Sequence, residues 1–178
     1  MRFFSLVFTA LLATACNKPM SPAAQTAVVS SFDPRQYIGT WYEIARLDNR
    51  FEKGLEQVTA NYSLNDDGTI KVINRGFNPD KNEWKEAEGK AKLVDVANSD
   101  GTRTGRLKVS FFGPFYGAYN IIALDANYQH VMICGPDKTY LWILSRTPQL
   151  AESIKLDLIA QANALGFATD KLIDVKHN

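Results

Sequence analysis

From Phe32 onward the chain repeats one pattern: short runs of alternating apolar and polar residues, broken by turn-forming clusters. Val58, Ala60, Tyr62 and Leu64 alternate with Thr59, Asn61 and Ser63. Asn65-Asp66-Asp67-Gly68 then turns the chain, and Ile70, Val72 and Ile73 lead the next run. A period of two buries one face of a strand, and a Gly-containing turn between two such runs marks a hairpin. Further turns read as Asn78-Pro79-Asp80-Lys81-Asn82, Asn98-Ser99-Asp100-Gly101, Asp125-Ala126-Asn127 and Gly135-Pro136-Asp137-Lys138. Between them lie runs at Thr40–Leu47, Val58–Leu64, Ile70–Phe77, a run opening at Trp84, then Arg106–Phe112, Tyr119–Leu124, Tyr128–Cys134 and Tyr140–Ser145. Eight strands with short links predict an all-β fold, an eight-stranded antiparallel up-and-down β-barrel. Closure removes the sticky sheet edges and leaves an interior for one small ligand. One stretch reads as helix, with Thr147 as N-cap and Pro148 at the first position. Its stripe is Leu150, Ile154, Leu158, Ala162 and Leu165, and its stop is Gly166. A single apolar stripe predicts a C-terminal helix packed outside the barrel. Leu172–Lys176 reads as a last short strand.

Residues 1–15 have a different character. One positive charge, Arg2, precedes an apolar run and then small residues, the layout of a secretory signal peptide. The run is too short to cross a bilayer, which takes about 20 residues. It ends in Leu12-Ala13-Thr14-Ala15-Cys16, which resembles the bacterial lipobox, with Ala13 where that motif usually has Leu, Val or Ile. The resemblance implies cleavage before Cys16, lipidation of its thiol, and a mature protein that begins there. Asn17 follows, not the Asp of the inner-membrane retention signal. The implied location is the outer membrane, lipid-anchored on its periplasmic face. Residues 16–31 read as the lipidated N-terminus and a tether, and 32–178 as the barrel domain. Plain secretion with a free Cys16 is the alternative.

Charge bears on the same question. The full chain carries 20 Lys+Arg and 19 Asp+Glu. Removing residues 1–15 takes away Arg2 and no acid, so the mature chain is balanced. A balanced chain has no basic footprint for nucleic acid and, read as composition, none for anionic lipid. Acylation is then the main hold on the membrane. Two acyl chains give stable anchoring where one does not.

Tyr37-Ile38-Gly39-Thr40-Trp41-Tyr42-Glu43-Ile44-Ala45-Arg46 resembles the first lipocalin motif, Gly-x-Trp at the start of the first strand. Arg146, after the eighth strand, resembles the family arginine that stacks on that tryptophan. Trp41 and Arg146 are therefore expected as the structural pair that closes the barrel. Phe111-Phe112-Gly113-Pro114-Phe115-Tyr116-Gly117, Cys134-Gly135-Pro136-Asp137 and Tyr140-Leu141-Trp142-Ile143-Leu144-Ser145-Arg146 resemble the bacterial lipocalin branch. The resemblance implies storage or transport of fatty acids or lysophospholipids, with Tyr116 and Trp142 foremost as ligand contacts.

Alternation nominates the remaining wall. Val58, Ala60 and Tyr62 face inward on the second strand, and Val72, Asn74 and Gly76 on the third. Val109 and Phe111 follow on the fifth, Asn120, Ile122 and Leu124 on the sixth, and Tyr140, Trp142 and Leu144 on the eighth. The ligand-binding set is then Tyr116, Trp142, Phe111, Tyr62, Asn74, Val109, Asn120 and Tyr140. Polar residues of the first loop, Asp48, Asn49, Arg50, Glu52 and Lys53, are placed to meet a headgroup at the mouth. For each wall residue, core packing is the competing explanation.

No catalytic residues, cofactor or metal are expected. His130 and His177 have no zinc-ligand spacing, and neither a Gly-x-Ser-x-Gly elbow nor a P-loop occurs. Two alternatives stay open. One is an anchored barrel that binds a protein partner or forms a homodimer through Phe111–Phe115. The other is a Cys-dependent enzyme, since Cys134 shares the parity of Met132 and would face inward. Otherwise Cys134 is a small buried hydrophobe, or the partner of Cys16 in a disulfide if Cys16 is not acylated.

Overall fold

The computed structural model describes residues 27–178. Cys16, the signal peptide and most of the tether lie outside the described residues. Nine strands form one sheet: β1 (Gly39–Leu47), β2 (Glu56–Leu64), β3 (Ile70–Asn78), β4 (Glu83–Leu93), β5 (Arg106–Phe112), β6 (Phe115–Leu124), β7 (His130–Cys134), β8 (Leu141–Ser145) and β9 (Leu172–Asp174). Every pairing is antiparallel, and sequential neighbours pair from β1 to β8. β8 returns to β1, with Tyr42 opposite Ser145 and Arg46 opposite Trp142, so eight strands close on themselves. β9 adds to the same β1 beyond the barrel.

Strands that run alternately up and down give the barrel two ends. The base holds the start of β1 and the end of β8. The rim holds the loop 48–55, the turns β3–β4 and β5–β6, and the β7–β8 connection.

The base is dry and fully packed. A short helix, α1 (Pro34–Tyr37), crosses it. Asp33 caps it, accepting from the Arg35 amide at 2.9 Å, with Pro34 in the first turn. Trp41 is fully buried, donates to the Tyr37 carbonyl at 2.9 Å, and carries the Arg146 guanidinium 4.0 Å above its ring. That guanidinium also donates to the carbonyls of Gln36, Thr40 and Tyr128. Gly39 has φ +100°, and a Cβ there would lie 3.3 Å from Arg146 Nη1. The glycine of Gly-x-Trp is thus required both by its backbone and by the arginine beside it.

The helix α2 (Glu152–Ala164) packs outside the barrel, with Leu158 and Ala162 buried against Ile44, Met132, Cys134 and Ile143. It starts later than Thr147 and Pro148 suggest. Thr147 Oγ1 donates instead to the Gln149 carbonyl at 2.6 Å, so those residues form a turn and Ala151 takes the cap position. Gly166 ends the helix at φ +82°. Upstream, the barrel's grip begins before Phe32. The Val29 amide donates to the Ile121 carbonyl at 3.0 Å, and its carbonyl accepts from Gly105 at 2.8 Å.

Two of the sheet's four register shifts decide which of these residues face the interior. In β1, pairing with β8 shifts between Glu43 and Ala45. Trp41, Glu43 and Arg46 therefore face in, while Ile44, Ala45 and Leu47 face α2. In β6, pairing with β7 shifts between Ile121 and Ala123.

Candidate functional site

The interior above the base is an apolar cavity of about 100 Å³, open toward the rim. Val58, Ala60, Val72, Leu107, Val109 and Leu144 form much of its wall. Tyr62, Asn74, Phe111 and Trp142 also line it. The Phe111 ring lies against Gly89, where a Cβ would come within 2.8 Å of the ring.

The cavity floor is a chain of tyrosine hydroxyls. Tyr119 Oη is 2.6 Å from Tyr37 Oη and 2.9 Å from Tyr62 Oη. Burial raises all three phenols, Tyr62 to about 12. They stay neutral and pair only with one another. The floor shortens the lumen, which explains the modest volume. Tyr119 and Tyr37 escape a reading by alternation: the first falls on the wrong parity and the second lies in α1.

The cavity mouth holds a charged cluster. Glu43 and Arg46 are almost completely buried and form an ion pair at 2.8 Å. Arg46 also donates to the Glu52 and Leu55 carbonyls at 2.9 and 3.1 Å, tying the 48–55 loop across the mouth. The Glu52 carboxylate accepts from Trp142 Nε1 at 2.9 Å and from Asn49 Nδ2 at 2.7 Å. Burial, and then the neighbouring Glu52 carboxylate, push Glu43 well above the usual carboxylate range against the pull of Arg46. Glu43 therefore holds a proton more readily than an ordinary carboxyl. Asn74 Oδ1, buried in the wall, has no hydrogen-bond partner. The mouth therefore presents mainly oxygen acceptors; the Arg46 terminal nitrogens are engaged, and its Nε, buried and without a partner, is a donor.

Of the first-loop residues, Asn49 and Glu52 join this cluster, whereas Asp48, Arg50 and Lys53 are exposed. Glu43 had a legible signal: it stands two residues after Trp41 and so shares its inward face. Arg46 had none, because the bulge reverses its parity.

Several sequence-nominated residues lie elsewhere. Asn120 faces out of the barrel. It pairs with exposed Arg106 across β5 and donates to the Gly135 carbonyl at 3.2 Å. Ile122 also packs toward α2, because the β6 bulge offsets the alternation. Tyr116 is on β6, not in a loop, and lines a concavity on the outer face with Lys108 and Asn120. Tyr140 precedes β8 and stacks on Trp142 at 5.9 Å between ring centroids; the cavity wall itself is formed by Trp142. Cys134 keeps the parity of Met132, but that shared face is the outer one, under α2. Burial raises its thiol pKa, the opposite of what a nucleophile needs.

The model of the family described as lipocalin-like domain matches residues 32–177. The chain is 54% identical to outer membrane lipoprotein Blc of Citrobacter freundii, covering 96% of this chain and 93% of that one. It is 52% identical to the protein of that name from Escherichia coli K12, covering 99% and 98% respectively. Among solved structures it resembles insecticyanin from Manduca sexta, with a TM-score of 0.68 at 20% identity over 86% of this chain and 85% of that one.

Proposed function

The chain belongs to the lipocalin family, and on that premise we propose that it carries a single-chain lipid, a lysophospholipid before a fatty acid, at the bacterial outer membrane. Residues 1–15 are its signal peptide, and Cys16 carries the acyl chains that anchor it on the periplasmic side. Residues 17–28 are the tether.

The observation that carries this reading is the contrast between wall and mouth. The wall is aliphatic and aromatic and suits an acyl chain. At about 100 Å³ the cavity takes part of such a chain, which leaves the head at the mouth. There Glu43, Glu52 and the unpartnered Asn74 Oδ1 offer acceptors. The hydroxyl and ammonium donors of a lysophospholipid match them, whereas a fatty-acid carboxylate would meet two carboxyl groups. Among the nominated contacts, Trp142, Phe111, Tyr62, Asn74 and Val109 hold the ligand. Tyr140 supports Trp142.

Displacement of a fluorescent acyl probe by lysophosphatidylethanolamine and by palmitate tests the reading, together with mass spectrometry of lipids that co-purify. Lysophosphatidylethanolamine should displace the probe at the lower concentration. Absence of any retained lipid, with no displacement by either, would sink the carrier reading. Trp142→Ala should weaken binding while leaving the fold intact.

A further inference from the structure

We infer that the floor of the lumen is a second polar subsite, a hydrogen-bond donor that takes an uncharged oxygen near the buried end of the acyl chain, such as a keto group. This rests on the carrier reading above and adds to it what the deep end of the ligand bears.

Three phenols from three elements meet beneath the lumen: Tyr37 from α1, Tyr62 from β2 and Tyr119 from β6. Tyr119 Oη links to the other two at 2.6 and 2.9 Å, and among the described residues the trio has no other hydrogen-bond partner. Three hydroxyls bring three hydrogens, and two links use two of them, so one O–H is left over. Tyr119 has a single hydrogen and cannot donate along both links. The spare hydrogen therefore rests on Tyr119 when both neighbours donate to it, on Tyr62 when Tyr119 donates there, or on Tyr37 when Tyr119 donates to that one. Tyr37 is fully buried, with the rings of Trp41, Tyr62 and Phe32 centred 4.9, 5.1 and 5.2 Å away, and it does not line the lumen. Tyr62 and Tyr119 do line it. These two can turn the spare O–H toward open space. An unmet buried donor is costly, and an acceptor on the ligand removes that cost.

The surroundings select the kind of acceptor. Arg146 has Nε, Nη1 and Nη2 engaged on the carbonyls of Tyr128, Thr40 and Gln36, so none of them is left to balance a carboxylate. The phenols are themselves neutral, with Tyr62 held up at about 12 by burial. A carboxylate at the floor would be a buried charge without a partner. An ammonium would bring donors to a place that lacks an acceptor. A keto oxygen accepts, carries no charge and adds no hydrogen of its own. Val72, Leu107 and Leu144 give the carbon chain around it an apolar wall. The ligand is then polar at both ends, with its head among the acceptors of the mouth and a neutral oxygen on the tyrosines.

Lysophosphatidylethanolamines of graded chain length test this, each as a plain chain and with a keto group beside the terminal methyl. They displace a fluorescent acyl probe from the wild-type protein and from the double variant Tyr62→Phe, Tyr119→Phe, which lacks both lumen-lining hydroxyls. The ratio of displacing concentrations, plain over keto, cancels what head and chain contribute. At the length whose keto group reaches the floor, this ratio should be about tenfold larger in the wild type than in the variant. Plain chains that displace the probe while the ratio stays level between the two proteins at every length overturn the inference and leave the carrier reading intact. Displacement by no chain at all overturns both. The wild type alone gives a second readout, which stands even if the double variant does not fold. The infrared stretch of a carbon-13-labelled keto group should fall in frequency on binding, relative to the same lipid in hexane. A bound keto group that keeps its hexane frequency at every length overturns the inference.

Discussion

At the base of the barrel, Trp41, Tyr37, Tyr62 and Tyr119 fill the interior, and Arg146 spends its hydrogen bonds on three backbone carbonyls. At the mouth, the buried groups are instead Glu43 and Arg46, with Glu52 half-buried beside them, and the Asn74 oxygen and Arg46 Nε are left without partners. The base meets the Arg146 donors with backbone carbonyls and links its tyrosine hydroxyls to one another. The mouth keeps charge out of water, a costly arrangement that persists where specificity or binding requires it. Stability is thus concentrated at one end and chemistry at the other.

The largest effect should come from the base. Trp41→Ala removes a fully buried indole and the seat of Arg146, and should cost about 3–5 kcal/mol in urea unfolding. A loss under about 1 kcal/mol would mean that the base is no anchor of the fold.

Next comes the mouth. Arg46→Met leaves Glu43 beside Glu52 without a cation and should cost about 3 kcal/mol at neutral pH. The cost should shrink in acid, where Glu43 takes up its proton. An equal cost at pH 5 and pH 8 would contradict the upward shift of Glu43.

A smaller effect is the pH slope itself. Burial raises Glu43 in the folded chain above its ordinary 4.5, so the folded state binds this proton more tightly than the unfolded state. Its contribution is fully present below pH 4.5 and is lost as pH rises through the folded value. Glu43→Gln should therefore flatten the fall in urea midpoint from mildly acid to alkaline pH. An unchanged slope would assign the titration elsewhere.

The smallest change in stability should be at the rim. Phe112→Ser with Phe115→Ser should alter the unfolding free energy by within about 0.5 kcal/mol. A large loss would show that these rings pack in the fold and are not free to meet another surface.

The same division governs what could be read from the residues. Strand order, the external helix and the Trp41–Arg146 stack were legible, because turn clusters, helical spacing and a local motif encode them. Facing was legible only between bulges. The wall from Val58 to Val109 follows simple alternation, whereas Arg46, Tyr119, Asn120 and Ile122 do not. A bulge leaves no mark in composition, since it depends on pairing with a strand distant in sequence. Glu52 and Asn49 were legible as residues of the mouth, but not the bonds by which their loop folds over the opening. Patches are similarly invisible: Lys92, Lys108 and Lys138 are far apart in the chain and gather only when β4, β5 and the β7–β8 connection come together.

The irregularity in β1 also gives this protein room to change by descent. A substitution at Ile44 or Ala45 alters one contact under α2. Deleting one of those two residues would instead remove the bulge and restore plain alternation, leaving Glu43 and Arg46 toward the lumen and Leu47 toward the helix. Such a deletion would be inherited as the loss of one contact under the helix, with the inside and the outside of the strand unchanged.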